Sequence, residues 1–175
     1  VSLTVSFWGT RGTIPTPGAS TARHGGNTAC VEVRDDSGNL LILDAGTGIR
    51  SLGKVLVKNG GVTADLILSH AHWDHIQGLP YFAPLFMKGN VVRVWGPKQG
   101  DVDLETILRQ QMAPAVFPVP LDALAASLEV RHVNEESFRT PACAVRAMRV
   151  RHPANTLGYR LEMAGGRSIV YVTDD

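Results

Sequence analysis

Leu66-Ile67-Leu68-Ser69-His70-Ala71-His72-Trp73-Asp74-His75-Ile76-Gln77-Gly78-Leu79-Pro80 is the stretch on which the reading of this chain turns. Three of the six histidines in 175 residues fall inside it, with an aspartate between the second and the third. Ala64 to Ser69 is a short, nearly continuous apolar run of strand character, and the histidines begin where it ends. His70 and His72 are two positions apart, so on an extended strand end they project to the same side. Asp74 and His75 follow as the chain turns and reach the same volume. Neutral imidazole and carboxylate suit Zn²⁺, Mn²⁺ or Fe. Four such groups this close exceed what one closed tetrahedral zinc needs once distant ligands join. The spacing therefore points to an open or two-metal site, where bound water is deprotonated near neutral pH. A lone histidine reads as a satisfied core group. Three imidazoles and a carboxylate beside apolar neighbours do not, because burying them unpaired costs on the order of several kcal/mol.

Outward from that run the chain alternates strands with fewer helices. Val1 to Trp8 alternates apolar and polar residues with the period of a half-buried strand. Gly9 to Gly18 is punctuated too densely by Gly and Pro for a regular element. Cys30 to Arg34 and Leu40 to Asp44 are strands joined by the turn Asp35-Asp36-Ser37-Gly38-Asn39. Ile49, Leu52, Val55 and Leu56 share one helical face, which Asn59-Gly60 ends. Val91 to Trp95 is a strand, and Asp103 caps a helix through Met112. Leu121 to Leu128 reads as one more short helix. Cys143 to Arg151 alternates and delivers His152 at its end. Leu157 to Met163 and Ser168 to Thr173 form a hairpin about Ala164-Gly165-Gly166-Arg167. With no interior linker, residues 1–175 read as one domain of α/β or α+β class.

Composition narrows the setting. The chain is 44% hydrophobic and 19% charged, so it is globular rather than disordered. No apolar stretch approaches the roughly 20 residues of a membrane span, and the first residues lack a signal-peptide pattern. Cys30 and Cys143 stand in no zinc-knuckle spacing and read as buried free thiols of a cytoplasmic protein. A net charge of +1 excludes a strong electrostatic grip on nucleic acid over the whole surface. From Arg131 onward the basic residues are all arginine, which reads as solvated strand edges.

The run His70-Ala71-His72-Trp73-Asp74-His75 resembles the HxHxDH signature of the metallo-β-lactamase superfamily. Phe7 to Gly12, Gly25-Gly26-Asn27-Thr28 and Leu41 to Gly48 resemble the opening strands and loops of its ribonuclease Z and cyclic-phosphodiesterase-like branch. Tyr171-Val172-Thr173-Asp174 resembles the later strand that ends in a bridging aspartate. The resemblance implies a four-layered αββα sandwich holding one or two metal ions, zinc with manganese or iron as alternatives. It places His70, His72 and His152 on a first metal, Asp74 and His75 on a second, and Asp174 between them, with Asp175 as a neighbouring alternative. Asp44 is implied to orient ligands rather than bind metal. Family members supply one further histidine beyond the bridging aspartate. Its absence before residue 175 implies that the C-terminal part of the second half is missing. Neither His24 nor His132 is assigned by motif.

The implied activity is metal-dependent hydrolysis of a cyclic nucleotide or another small phosphodiester by a metal-activated water, with Asp74 orienting that water or taking its proton. Arg11 is a candidate to steady the phosphate. A large RNA is less favoured, since no long Gly/Pro-rich arm is evident. The competing readings are a hydrolase of a thioester, lactone or β-lactam on the same scaffold, and a non-catalytic metal-binding domain with an incomplete second site. No membrane partner is expected, and an oligomer is left open.

Overall fold

The computed structural model describes residues 3–163 and 165–174. Val1 and Ser2 of the expected first strand, Ala164 of the expected hairpin turn and Asp175, the alternative to Asp174, lie outside the described residues. One mixed sheet holds β1 (Leu3–Gly9), β2 (Cys30–Asp35), β3 (Leu40–Leu43), β4 (Thr63–Ile67), β5 (Val91–Gly96) and β6 (Ser127–His132), in that spatial order. β1, β2 and β3 pair antiparallel, whereas β3 through β6 run parallel. Parallel neighbours require crossovers. Two of these crossovers carry helices, α1 (Gly48–Leu56) from β3 to β4 and α3 (Leu104–Gln111) from β5 to β6. The crossover from β4 to β5 begins with one short helix, α2 (Trp73–Ile76). The second sheet is antiparallel, ordered β10 (Ser168–Tyr171), β9 (Leu157–Met163), β8 (Cys143–Arg149), β7 (Ser137–Arg139).

Side-chain alternation divides the interior into two layers of core. Along β3, β4 and β5, Leu40, Ile42, Ala64, Leu66, Val92 and Val94 point to the helix side, where they meet Ile49, Leu52, Leu104 and Leu108. Leu41, Leu43, Ile67 and Trp95 point to the other side and pack against Val145, Leu157, Tyr159 and Leu161 of the second sheet. That is why these strands read as continuous apolar runs: both faces are covered. Helices, sheet and sheet are layers of the αββα arrangement. The outer face of the second sheet, with Arg146, Met148, Arg160 and Val170, is exposed among the described residues.

Helix α3 begins as its sequence predicts, with the Asp103 carboxylate accepting the Thr106 N–H at 2.8 Å. The expected helix over Leu121–Leu128 is corrected. Only Leu121–Ala123 turns, as a single 3₁₀ turn, and Ser127 already opens β6. Leu121, Leu124 and Leu128 have helical spacing, but Leu128 and Val130 also alternate, and the free edge of β5 recruits them in parallel register. Strand β7, unrecognised in the sequence, is three residues long, and its Phe138 stacks on Trp95 at 4.8 Å between ring centroids. Cys30 and Cys143 are free and buried. No helix among the described residues is long and apolar enough to cross a membrane.

Candidate metal centre

Topology brings the predicted residues to one rim. Asp44 follows the carboxyl end of β3, and Ser69 and His70 follow that of β4, the end at which open α/β sheets build their sites. β8 and β10 both pair antiparallel with β9, so they run in the same direction and deliver His152 and Asp174 to one end of the second sheet. The two sheets are stitched there by hydrogen bonds to backbone carbonyls. Leu157 N–H donates to the Ser69 carbonyl at 2.9 Å, and the Tyr159 hydroxyl to the Leu68 carbonyl at 2.8 Å. Close approach is built in as well: a Cβ on Gly46 would stand 2.4 Å from the Asp74 carbonyl oxygen, so the loop after β3 lies directly on α2.

The side chains converge. Ring centroids of His70 and His72 are 4.5 Å apart, those of His70 and His75 4.3 Å, and His152 lies 5.0 Å from both His70 and His72. Nε2 of His152 stands 3.1 Å from Nδ1 of His72. On the other flank Asp174 Oδ2 is 2.9 Å from His75 Nε2 and 3.5 Å from His70 Nε2, and Asp74 Oδ2 is 3.4 Å from His75 Nε2. Two overlapping trios result, His70–His72–His152 and His70–His75–Asp174, each with ligand atoms mutually within 4.8 Å. Asp74, expected among the ligands, belongs to neither trio, nor do His24 and His132. Arg11 lines, with His75, Tyr171, Thr173 and Asp174, a cleft of about 250 Å³ opening on the cluster.

Behind the rim, Asp44 is fully buried and accepts four contacts. Ser69 N–H donates to it at 2.7 Å, the Ser69 hydroxyl at 2.8 Å and the Tyr171 hydroxyl at 2.8 Å, while His75 Nδ1 lies 2.7 Å away. This holds the imidazole of His75 with Nδ1 toward Asp44 and Nε2 toward the cluster. Burial and the nearby Asp44 push the Tyr171 hydroxyl well above its ordinary range, so it stays protonated and donates. Ser69 and Tyr171 were not singled out by sequence reasoning. The signal available for Ser69 was its place immediately before His70; for Tyr171, a polar tip on an otherwise apolar strand.

The donor set fits a cation. Among the described residues, Nε2 of His70 and of His75 are both buried and find no hydrogen-bond partner, despite their closeness to carboxylate. Burial, with the neighbouring His75, pushes His70 down to about 4, keeping its imidazole neutral and its lone pair available. Burial alone would lower His75 too, but the hydrogen bond and charge of Asp44, joined by Asp74 and Asp174, outweigh it and raise His75 to about 9. The carboxylates thus demand positive charge at this point, which a proton or a metal ion supplies.

Backbone strain marks the same place. Among the described residues three non-glycine residues have positive φ: Thr13 at 70°, Asp44 at 60° and Asp174 at 53°. All three serve the cluster, since Thr13 donates its N–H to Asp74 Oδ2 at 2.7 Å. A β-branched residue such as Thr13 holds that conformation only when its surroundings impose it.

Comparison with known proteins identifies the family. Residues 39–174 match the family described as "Beta-lactamase superfamily domain". Ribonuclease Z of Natronomonas pharaonis is 27% identical over 164 residues, covering 92% of this chain and 48% of the relative. Ribonuclease Z of Staphylococcus saprophyticus is 26% identical over 167 residues, covering 91% and 49%. The chain thus spans about half the length of these curated relatives. The crystal structure of the metallo-beta-lactamase fold protein YhfI from Bacillus subtilis superposes with a TM-score of 0.67 at 16% identity, over 96% of this chain and 60% of that one. Its likeness concerns the fold, while the match over residues 39–174 concerns descent, and on that ground the chain belongs to the beta-lactamase superfamily.

Proposed function

We propose that this chain carries the metal-dependent hydrolytic centre of a phosphodiesterase acting on a cyclic nucleotide or another small phosphodiester. The observation that supports it most is the pair of buried, partnerless imidazole nitrogens at the junction of two ligand trios. His70, His72 and His152 would hold one ion, and Asp74 and His75 a second, with Asp174 between them. Zinc suits these donors, as do manganese and iron. Bound there, the cation supplies Lewis acidity that activates water near neutral pH and offsets charge on the phosphoryl oxygens.

The chain's own residues do the remainder. Asp74, anchored by the Thr13 N–H, orients the attacking water and takes its proton. Asp44 fixes His75, and Arg11, in the cleft beside Asp174, steadies the phosphate. A phosphodiester is preferred over a thioester, lactone or β-lactam because the curated relatives are ribonucleases Z, which act on phosphodiesters. The test is turnover of bis(p-nitrophenyl) phosphate, nitrocefin and a lactone by zinc- or manganese-loaded protein. Preference for the phosphate ester supports the proposal. Preference for nitrocefin or the lactone reassigns the substrate, and bound metal without turnover of any of them leaves a non-catalytic domain.

A further inference from the structure

Ser69 stands between the buried Asp44 carboxylate and the histidine cluster, and its hydroxyl has more polar neighbours than one proton can serve. The residue is fully buried, just beyond β4 and immediately before His70. Its Oγ lies 2.8 Å from Asp44 Oδ2 and 3.1 Å from His70 Nδ1. Thr173 Oγ1 is 3.2 Å away and His75 Nδ1 3.4 Å.

The donors and acceptors around this oxygen sort in one way. A serine hydroxyl has one proton to give and two lone pairs to share. A carboxylate only accepts, so the proton goes to Asp44 Oδ2, the shortest of the four contacts. The Ser69 backbone N–H donates to Oδ1 of the same carboxylate at 2.7 Å, which pins the residue at two points. One lone pair then takes the Thr173 hydroxyl proton. The other faces His70 Nδ1, which must therefore donate. His75 Nδ1 has its own acceptor in Asp44 Oδ2, at 2.7 Å, and needs nothing from Ser69. A neutral imidazole carries a single N–H, so with the proton on Nδ1 the Nε2 of His70 keeps its lone pair. The opposite tautomer would bury an N–H on Nε2 that finds no acceptor among the described residues. It would also turn the serine proton away from Asp44.

We propose that Ser69 is a positioning residue that relays the Asp44 carboxylate to His70, so that one buried carboxylate sets the imidazoles on both flanks of the cluster. Asp44 reaches His75 directly and His70 through the serine hydroxyl. His70 is the residue common to the two trios, so its free nitrogen is the one whose direction matters to both. Thr173 joins at the same oxygen one residue before Asp174, which ties that strand end to the relay. A carboxylate behind a ligating imidazole fixes its tautomer and raises its basicity. Sharing one carboxylate between two imidazoles spares the fold the desolvation of a second buried charge.

The purpose of the relay rests on the reading of the cluster as a metal centre, but the tautomer of His70 can be read without metal. Protein with ¹⁵N-labelled histidine gives long-range ¹H–¹⁵N correlation spectra before zinc is added, and competition with a chelator then gives zinc affinity. In the parent the His70 proton should sit on Nδ1. Ser69→Ala should move it wholly or partly to Nε2 and weaken zinc binding roughly 10–100-fold, the size of losing an orienting partner. Tyr171→Phe is the control, since it removes a different hydroxyl donor from Asp44. It should leave the His70 tautomer unchanged and cost less affinity. A His70 proton on Nε2 in the parent overturns the proposal. So does an unchanged tautomer or unchanged zinc affinity in Ser69→Ala, or an equal effect of the two substitutions. A parent with the expected tautomer, lost in Ser69→Ala, that takes up no zinc keeps the relay and sinks the metal-centre reading.

Discussion

Two clusters of buried polar groups sit on the first sheet, and they are built on opposite plans. Asp65 on β4 is 3% exposed and meets Arg93 through both oxygens, at 2.8 and 2.9 Å, with the Trp95 indole N–H donating at 2.9 Å. Every partner is in place, and the group is closed. At the carboxyl end of the same strand, His70 is fully buried and His75 nearly so, yet each leaves one nitrogen without a partner among the described residues. Unpaired buried polar groups are rare in a fold, and each calls for an explanation, such as an ion that completes it. The difference separates an ion pair that serves the architecture from a cluster that we propose holds a metal ion.

The sharpest way to break that contrast is His72→Ala. It should lower hydrolysis by more than the roughly 10–100-fold typical of losing an orienting partner, and reduce the bound metal, because a proposed ligand itself is lost. Metal analysis with bis(p-nitrophenyl) phosphate assays checks it, and unchanged activity would refute the ligand set. Next in size, Asp65→Ala should cost about 3 kcal/mol of stability in urea unfolding, since it strands the Arg93 charge and the Trp95 N–H. Its metal stoichiometry should stay that of the parent; a loss of metal would erase the distinction between the clusters. Asp44→Asn should weaken metal binding roughly 10–100-fold in a competitive chelator titration, because His75 loses its carboxylate partner. Tyr171→Phe is smaller still. It removes one of several donors to Asp44 and should lower stability by about 1 kcal/mol, read as a modest fall in the urea midpoint.

The contrast also explains what the sequence made legible. The candidate ligand run was conspicuous because its spacing is local: His70, His72, Asp74 and His75 lie just beyond one strand end and in one turn. His152 and Asp174 were reachable through resemblance and through their places at strand ends, while their meeting depends on β8 and β10 sharing a direction across β9. The Asp65–Arg93–Trp95 cluster left no sequence signature, since its members belong to neighbouring parallel strands whose pairing only the fold reveals. Leu121–Leu128 misled for a related reason. Its apolar spacing allowed helix or strand, and the vacant edge of β5 decided. Thr13 was hidden because nothing in a Gly/Pro-rich loop announces that its N–H will hold Asp74.

The most direct test of the central claim is an anomalous diffraction map at the zinc edge from crystals grown with zinc. The account predicts a peak about 2.0–2.2 Å from one nitrogen each of His70, His72 and His152, and a second one flanked by Asp74, His75 and Asp174. Zinc bound elsewhere, or these side chains turned away from a shared ion, would contradict it.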